Sequence, residues 1–442
     1  MGPCCALAEL VKHYPNSRCE SLSEGHGHHY AHLAQHHPDQ PNPSPKHCTP
    51  RDTPRLGKGA AVDGTKDPYK PGIPMPALPM PFPEADLPLA TTTQQRLLEL
   101  GPSGEEDAED LRQNLSALAA RNGLLWLGGD EGRSLYRLQR LGEHRYGDLR
   151  PVKLTDFGLA GGKDDGESDI EGLALDGDRL WLVGSHSLRR RKHDDNKGEP
   201  LSLLEQDKQS RNAHVLGCLR LNGEGLPVAG QRLAFDAAAG RDALSQFLAA
   251  DPLIAPFLNI PSKENGLDIE GIAARAERLL VGLRGPVLRG IALVLDLHLD
   301  GIESNGSSTL TLAAQRCRYL QLNGLAVRDL AVVPGSDDVL VLAGPTMTVA
   351  GPCYLYRWRN ALRPQEPRSG AGITVEEPEP LLWIRDGRPG RPGQGSDKPE
   401  GLELQRKGGR LLAWVAYDDP TEVRRQGGQG VRTRLDGFVV PD

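Results

Sequence analysis

Short apolar runs separated by glycine-rich polar turns dominate the chain from about residue 90 onward. Five segments share one pattern, in which a polar motif leads into an apolar run, and a short turn then leads into a second run. Runs of this length bounded by turns are typical of buried β-strands. The paired runs are 114–119 with 123–129, 169–174 with 180–184, 268–273 with 279–282, 327–332 with 339–344, and 398–403 with 411–416.

A third apolar run follows each pair, and a fourth follows in four of the five segments. A repeat of four short strands, apolar on both faces of its inner strands, is what the stacked blades of a β-propeller require. We therefore predict an all-β propeller over residues 90–442, with five four-stranded blades. The blades are expected to begin near residues 114, 169, 268, 325 and 398.

The fifth repeat ends after its third strand, which would leave an unpaired sheet edge that invites aggregation. The segment Leu89–Leu100 directly precedes the first blade and could close the ring as the missing outer strand. A helix across the bottom of the propeller is the alternative for this segment. One helix is predicted to interrupt the strands, at Arg241–Ala250, because it carries helix-forming residues and ends before Pro252.

Residues 1–89 differ in composition from the rest of the chain and hold 16 of its 36 prolines and eight of its 13 histidines. Without a periodic apolar pattern, this segment is predicted to be a disordered extension. Prolines at every second or third position between Pro71 and Pro83 favour an extended polyproline II spacer. The histidine-rich stretch at 25–37 could wrap a transition metal, or it could be a biased tail with incidental metal affinity.

Composition limits the classes of function. The 442 residues include 52 Lys and Arg against 59 Asp and Glu, a net charge of −7, which argues against a general nucleic-acid binder. No apolar run approaches the roughly 18 residues of a membrane helix, and the first residues do not resemble a signal peptide. We therefore expect no membrane association and a cytoplasmic location. Seven cysteines without a framework pattern are interpreted as reduced thiols.

The motifs resemble those of a known family. The Asp-x-Glu-Gly-(Leu/Ile)-Ala motif at Asp169 and Asp268, the Gly-Leu-Arg-Gly-Pro segment at 282–286 and the Pro-Glu-Gly-Leu-Glu motif at 399–403 together resemble the bacterial family called domain of unknown function 3616. The resemblance covers about residues 110–442. The repeated motif is also similar, more weakly, to the esterase-like phytase group of propellers. Neither resemblance supplies an established substrate.

Two sets of loops of each propeller blade converge at one mouth of the central channel, and the repeats place charged residues there. Carboxylates from several blades could hold a hard cation such as calcium, and arginines beside them could clamp a phosphate or carboxylate. Metal-assisted hydrolysis of a phosphoester would use both groups. The candidates are Glu171, Glu270 and Glu400 as catalytic residues, Asp169, Asp268 and Asp329 as metal ligands, and Arg284, Arg189, His186 and Ser185 as ligand-binding residues.

Arg284 is the strongest single candidate for ligand binding, because the tip of its loop, at 282–286, departs from the sequence of the repeat. We expect it to contact an anionic ligand. The basic segment at 189–197 could also bind anions, including nucleic-acid phosphates, but its interleaved aspartates and lack of aromatic residues favour a solvated loop. No nucleophile elbow, Walker loop or His-Glu-x-x-His motif is present.

Two functions therefore stay open. The first is a calcium-assisted, phytase-like phosphoesterase or related hydrolase acting at the channel mouth. The second is a non-catalytic propeller that binds a protein or a small anionic ligand on the same face. The repeated glutamates also have a structural alternative, in which they accept hydrogen bonds from the backbone of neighbouring blades. In that case, replacing Glu171 or Glu270 with Gln would destabilise the fold.

Overall fold

The structure is a computed structural model that describes residues 87–191, 202, 205–302, 308–347, 351–363, 373–385, 395–425 and 429–441. All of these lie in the compact unit Ala77–Asp442. The predicted extension over residues 1–89 therefore falls almost entirely outside the described residues. None of the helices within the described ranges is long and apolar enough to cross a membrane.

The described residues form a five-bladed β-propeller, as the repeats predicted, and each blade has four strands in order from the channel to the rim. Blade 1 comprises β2 (Leu115–Arg121), β3 (Leu124–Gly129), β4 (Ser134–Gly142) and β5 (Arg145–Lys153), and blade 2 comprises β6 (Ile170–Asp176), β7 (Arg179–Gly184), β10 (Leu216–Leu221) and β11 (Pro227–Leu233). Blade 3 comprises β14 (Asp268–Arg275), β15 (Arg278–Gly285), β16 (Ile291–Asp300) and β17 (Thr309–Gln321), and blade 4 comprises β18 (Ala326–Val332), β19 (Val339–Gly344), β20 (Cys353–Trp358) and β22 (Glu379–Ile384). Blade 5 comprises β23 (Lys398–Lys407), β24 (Arg410–Asp418), β25 (Val431–Val439) and, as its outer strand, β1 (Gln94–Gly101).

Smaller elements lie in the connections between these strands. The short strands are β8 (Leu188–Arg190), β9 (Asp207–Gln209), β12 (Phe235–Asp236), β13 (Arg241–Asp242) and β21 (Val375–Glu376). The α-helices are α1 (Glu106–Gln113), α2 (Ala243–Ala250) and α3 (Glu422–Arg425), and single 3₁₀ turns occupy Leu154–Phe157, Lys163–Asp165, Ala255–Phe257 and Ser262–Glu264.

The hydrophobic core is divided into five layers, each between two adjacent blades. This division explains why the inner strands are apolar on both faces, since each face packs against a different neighbouring blade. Trp126, Trp181 and Trp414 lie at the same position of the second strand in blades 1, 2 and 5, and all three are fully buried. The five inner strands contact one another in a closed ring around the channel.

The ring is closed by β1, which is the outer strand of blade 5 and pairs antiparallel with β25. The backbone N–H of Thr93 donates to Gly437 O at 2.9 Å, and its hydroxyl donates to the same oxygen at 2.9 Å. The strand prediction for this segment is thus confirmed, and the alternative helix is not present here. Because β1 pairs with β25, the outer edge of the third strand of blade 5 is not left unpaired.

The α2 helix confirms the predicted helical interruption. Asp242 caps its N-terminus by accepting a hydrogen bond from the backbone N–H of Ser245 at 2.9 Å. Leu244 and Leu248 are fully buried in the layer between blades 2 and 3. The helix is therefore anchored to the propeller through both its cap and its apolar face.

Two truncations separate the extension from the closing strand. Deleting residues 1–85 is expected to leave the unfolding midpoint within about 4 °C of the full chain, because that segment has no periodic apolar face. Deleting residues 1–101 also removes β1 and exposes the edge of β25, so this form should aggregate or unfold at a much lower temperature. Thermal unfolding followed by circular dichroism measures both. A large loss already in the shorter deletion would show that the extension packs on the propeller.

Candidate functional site

A β-bulge at the same point of all five inner strands aims one side chain per blade toward the channel. In β6 the ladder passes from Ile170 to Gly172, and the equivalent skip occurs in the other four inner strands. Bulges re-aim the side chain they leave unpaired. The residues at this position are Ser116, Glu171, Glu270, Arg328 and Glu400.

The channel mouth on this side opens into a cavity of about 650 Å³. All of the bulge residues except Ser116 line it, together with charged residues from the loops above. Carboxyl groups outnumber cationic groups in the lining. The acidic residues are Asp130, Glu131, Asp169, Glu171, Glu264, Asp268, Glu270, Glu400 and Asp418, and the basic residues are Arg189, Arg190, Lys263, Arg284, Arg328 and Lys398.

The glycines that follow the bulge residues allow the blades to approach one another closely. A Cβ atom on Gly271 would lie 2.8 Å from Asp329 Cα in the next blade, and one on Gly172 would lie 3.0 Å from the backbone nitrogen of Ile272. Contacts this short would force the blades apart. Close packing of the inner strands therefore requires glycine at these positions, and this packing fixes how near the bulge side chains come to the channel axis.

Arg284 lies in the cavity wall, with 12% of its side chain exposed. It forms ion pairs with Asp268 and with Glu270, which belong to its own blade. Burial alone would lower the pKa of Arg284, but the neighbouring carboxylates of Asp268 and Glu270 outweigh that effect and raise it. Arg284 thus neither points into solvent nor binds another blade. Its contact with a ligand stays a prediction.

Arg328 is a site residue that the sequence reasoning missed. Its Nη1 lies 3.0 Å from Glu270 Oε2 in blade 3 and 3.0 Å from Glu400 Oε1 in blade 5, and its Nη2 donates to Pro345 O at 3.0 Å. One guanidinium thereby ties three blades together at the channel. The Leu-Ala pair at 330–331 aligns with the pair at 173–174. This alignment places Arg328, and not Asp329, at the position equivalent to Glu171.

Asp329, expected to be a metal ligand, does not line the cavity. It occupies the position that glycine holds in blades 2, 3 and 5, and it is fully buried between blades. Its carboxylate accepts hydrogen bonds from the backbone N–H of Leu330 at 2.7 Å, of Leu402 at 2.6 Å and of Ile272. Asp329 therefore performs the blade-to-blade latching that was expected of the glutamates.

Replacing Asp329 with Ala should destabilise the propeller strongly without touching the cavity. The N–H groups of Leu402 and Ile272 would lose their acceptor inside the protein, at about 1–3 kcal/mol for each group left unpaired. Chemical denaturation of the variant measures the loss. An unchanged midpoint would mean that the inner strands do not depend on this latch.

Glu171 is the one bulge carboxyl that stands without a hydrogen bond or ion pair among the described residues. It is partly buried in the cavity wall. Burial is the main cause that raises its pKa well above the usual value, and the nearby charges of Asp169 and Glu270 add to the effect. Burial of this kind favours the neutral, protonated form of a carboxyl. The expected backbone latch at Glu171 is not observed.

Asp130 extends the acidic group from blade 1. Burial and the charges of Asp169 and Asp418 raise the pKa of Asp130 to about 7, and its Oδ1 is buried without a hydrogen-bond partner. Its charge also contributes to the raised pKa of Glu171, and both carboxyls line the cavity. Glu400 likewise has a raised pKa, mainly because of burial and then because of Asp418.

The remaining candidates from blade 2 support the cavity from behind. Arg189 lines it and places Nη1 3.3 Å from Asp169 Oδ1 and Nη2 3.3 Å from Glu167 Oε2. Ser185 is buried and donates its hydroxyl to Asp169. His186 is buried as well and faces away from the cavity. Of the ligand-binding candidates, Arg189 and Arg284 therefore reach the cavity, whereas Ser185 and His186 do not line it.

The mouth carboxylates do not converge as a calcium site would require. In the part of the chain that the structure describes, the one group of three or more ligand atoms within 4.8 Å of one another is formed by residues outside the cavity. Asp169 is held by Arg189, and Asp268 is held by Arg284. The predicted ligand set of Asp169, Asp268 and Asp329 is thus not brought together.

Comparison with protein families agrees with the motifs. The model of the family described as "Protein of unknown function (DUF3616)" matches residues 114–433, from the inner strand of blade 1 to the third strand of blade 5. The chain belongs to this family. The resemblance to domain of unknown function 3616 is therefore confirmed, while the weaker similarity to phytase propellers stays a prediction. Comparison with curated proteins finds no match.

Solved structures are similar to this chain only at a distance. The glutaminyl cyclase of Myxococcus xanthus is 11% identical, with a TM-score of 0.35, over 80% of this chain and 98% of that one. The α-L-arabinofuranosidase PaAbf62A of Podospora anserina is 11% identical, with a TM-score of 0.34, over the same shares. The β-propeller domain of Cps50 (Swd1) from Myceliophteria thermophila is 11% identical, with a TM-score of 0.28, over 74% and 96%. Matches this distant identify no activity for the DUF3616 chain.

Proposed function

We propose that the mouth cavity is the active site of a hydrolase in which Glu171 donates a proton to the leaving group. The observation that carries this proposal is the carboxyl of Glu171, which lines the cavity without a hydrogen bond or ion pair among the described residues and whose neutral form is favoured by burial. Where two carboxyl groups of one site differ in pKa, the group with the higher pKa can act as the acid and the other as the base.

Asp130 is the best partner for Glu171. Its pKa of about 7 suits a general base at neutral pH, and Asp130 lines the same cavity as Glu171. In the proposed step the water oxygen bonds to the substrate as the bond to the leaving group breaks. The proton of water passes to Asp130 and that of Glu171 passes to the leaving group, and exchange with solvent then restores both carboxyls.

The charges of the cavity favour an uncharged polar substrate. Arg284 and Arg328 are occupied by carboxylates of the wall, so they present little unpaired positive charge to a phosphate. The many carboxyl oxygens suit hydroxyl groups, which both donate and accept hydrogen bonds. Glycosides and neutral esters are the substrate classes that fit this lining.

The calcium-assisted phosphoesterase is the second candidate, and one observation favours it. The buried Oδ1 of Asp130 without a partner, beside the charges of Asp169 and Asp418, is a place where a cation would relieve repulsion. Such an ion would need these carboxylates to draw closer together than they lie here.

The test is a panel of chromogenic glycosides, carboxyl esters and phosphate esters, assayed with calcium and with EDTA. Turnover of an uncharged substrate that EDTA does not affect supports the proposal. Calcium-dependent turnover of a phosphate ester would support the second candidate. Binding of a protein or small anion without any turnover would instead favour the non-catalytic propeller.

The pH dependence of turnover gives a further expected result. Activity should fall on the acid side near pH 7, because Asp130 then takes up the proton that disables it as a base. It should fall on the alkaline side as Glu171, whose pKa is raised, loses the proton it donates. The rate constant kcat/KM across pH 4–10 checks both limbs. A profile that is flat through pH 7 would exclude Asp130 as the base.

A further inference from the structure

Two histidines and one aspartate meet at a second place, behind the cavity wall. His186 follows β7, His214 precedes β10, and Asp242 caps α2, so three separate segments supply them. Their exposed fractions are 3%, 4% and 0%. One potential ligand atom from each lies within 4.8 Å of the others. None of the three lines the mouth cavity.

We propose that His186, His214 and Asp242 form a structural binding site for one divalent transition-metal ion, for which zinc is the best match. Two imidazoles and a carboxylate are common zinc ligands, with bonds of about 2.0–2.2 Å. Ligand atoms around a tetrahedral ion therefore lie roughly 3.3 Å apart. His186 Nε2 and Asp242 Oδ2 are 2.9 Å apart, so a small outward shift admits the ion between them.

The surrounding contacts orient these side chains as ligands. His186 Nδ1 lies 2.9 Å from Gly184 O and donates to it, which leaves Nε2 facing the carboxylate. Metal-binding histidines usually donate their second ring nitrogen in this way. Asp242 uses Oδ1 to accept from the backbone N–H and hydroxyl of Ser245 at 2.9 and 2.8 Å, so Oδ2 remains for the ion.

Ser245 stands next to two of the three ligands. Its hydroxyl oxygen is 2.8 Å from Asp242 Oδ1 and 3.0 Å from His214 Nδ1. It, or a water, can complete a four-coordinate site. Because the three side chains are buried, the site is closed, which is the arrangement of a structural zinc rather than a catalytic one.

Backbone strain at His186 supports this reading. Its φ of 54° lies in the left-handed region, which a residue other than glycine rarely adopts. Strain of this kind persists where the surroundings fix a side chain for a purpose. Here the imidazole lies against the N-terminus of α2, with Nε2 2.9 Å from Asp242 Oδ2, whereas the neighbouring Ser187 lines the mouth cavity.

In the absence of an ion, a proton lies between His186 Nε2 and Asp242 Oδ2 and joins them in a hydrogen bond. An ion would displace that proton, since metal ligands must be deprotonated. The bound metal would then join blade 2 to the α2 insertion and hold the loop that carries Arg189. The proposal does not depend on the hydrolase, because the two sites share no residue.

The experiment uses the full chain and compares zinc content by mass spectrometry of the purified protein. The eight histidines of residues 1–89 can bind metal themselves, so the readout is the difference between variants. Asp242→Asn is the main variant, because its amide oxygen can keep the cap of α2. His214→Ala is the second, and His298→Ala, on the exposed face of β16, is the matched control.

The full chain and His298→Ala should each hold one more equivalent of zinc than Asp242→Asn and His214→Ala. After chelation, zinc at about 100 times its Kd should raise the unfolding midpoint of the first two by roughly 5 °C and leave the other two unchanged. Equal zinc content in the full chain and Asp242→Asn would overturn the proposal. So would a midpoint of the full chain that neither EDTA nor zinc moves, since the pair is then held by a proton alone.

Discussion

Glu171→Gln is expected to lower the turnover of the hydrolysed substrate by at least about 100-fold, because a glutamine amide cannot supply the proton of a general acid. The substitution keeps the shape of the side chain and its neutral state, so KM should change little. Steady-state kinetics on the best substrate of the panel measures the effect. A variant that retains turnover would remove Glu171 from the mechanism.

The stability of the same variant distinguishes chemistry from packing. The raised pKa of Glu171 means that the folded state holds its proton at a pH where the unfolded chain has lost it. Wild-type stability should therefore gain as pH falls from the folded pKa toward about 4.3, and Glu171→Gln should lack this gain. At neutral pH the variant should unfold at or above the wild-type midpoint, contrary to the destabilisation expected from the sequence.

Glu403→Gln is the matched control for Glu171→Gln. Glu403 is also a buried glutamate of an inner strand, and burial raises its pKa to about 8, but it lies outside the cavity and accepts from the backbone of Ala120. Its replacement should leave turnover unchanged. Equal losses in the two variants would show that activity depends on general fold stability rather than on the cavity carboxyl.

Arg328→Met is expected to be the most destabilising single change at the channel. It would leave Glu270 and Glu400 without the guanidinium that neutralises them, and breaking a buried ion pair from one side costs about 3–5 kcal/mol. Denaturant unfolding measures the loss. Arg328→Lys should lose part of this amount, because a single ammonium cannot reach both carboxylates and Pro345 O at once.

Acid should partly rescue Arg328→Met. Without the arginine, the two glutamates carry unpaired buried charges, and protonation as pH falls removes these charges. The gap to wild type should therefore be smaller at pH 5 than at pH 8. Arg359→Met is the control, since Arg359 and Glu379 are about half exposed and their ion pair contributes only about 0–1 kcal/mol. A gap that does not depend on pH would argue against unpaired carboxylates as the cause.

The sequence predicted the propeller because each blade repeats the same pattern of apolar runs and polar turns. The paired apolar runs, the helix at Arg241–Ala250 and the closing strand before blade 1 all depend on local pattern and on the need to cover a sheet edge. The limits of the outer strands were less predictable. The strand β5 runs from Arg145 to Lys153, whereas the apolar run that predicted it lies at 151–155. Strands at the rim are exposed on one side, so their sequences carry little hydrophobic signal.

The site was predictable as a place but not as a set of contacts. The repeat brought Glu171, Glu270 and Glu400 to one ring, as expected. It did not by itself distinguish Arg328 from Asp329, because the acidic side chain favoured Asp329 and only the Leu-Ala pair at 330–331 marks Arg328 as the residue at the bulge. Nor could it distinguish the paired Glu270 from the unpaired Glu171, since that difference arises from side chains of other blades.

The closing strand also constrains how this molecule is made. Thr93 and Gly437, joined by hydrogen bonds, are 344 positions apart in the chain. During synthesis β1 leaves the ribosome before the first blade, and its partner β25 leaves after the first four blades, so the ring cannot close until the third strand of blade 5 has emerged. Bringing ends this distant together costs about 5 kcal/mol of chain entropy. Until then β1 lacks its antiparallel partner, and the parallel pairing with β5 is the contact through which blade 1 can already hold it.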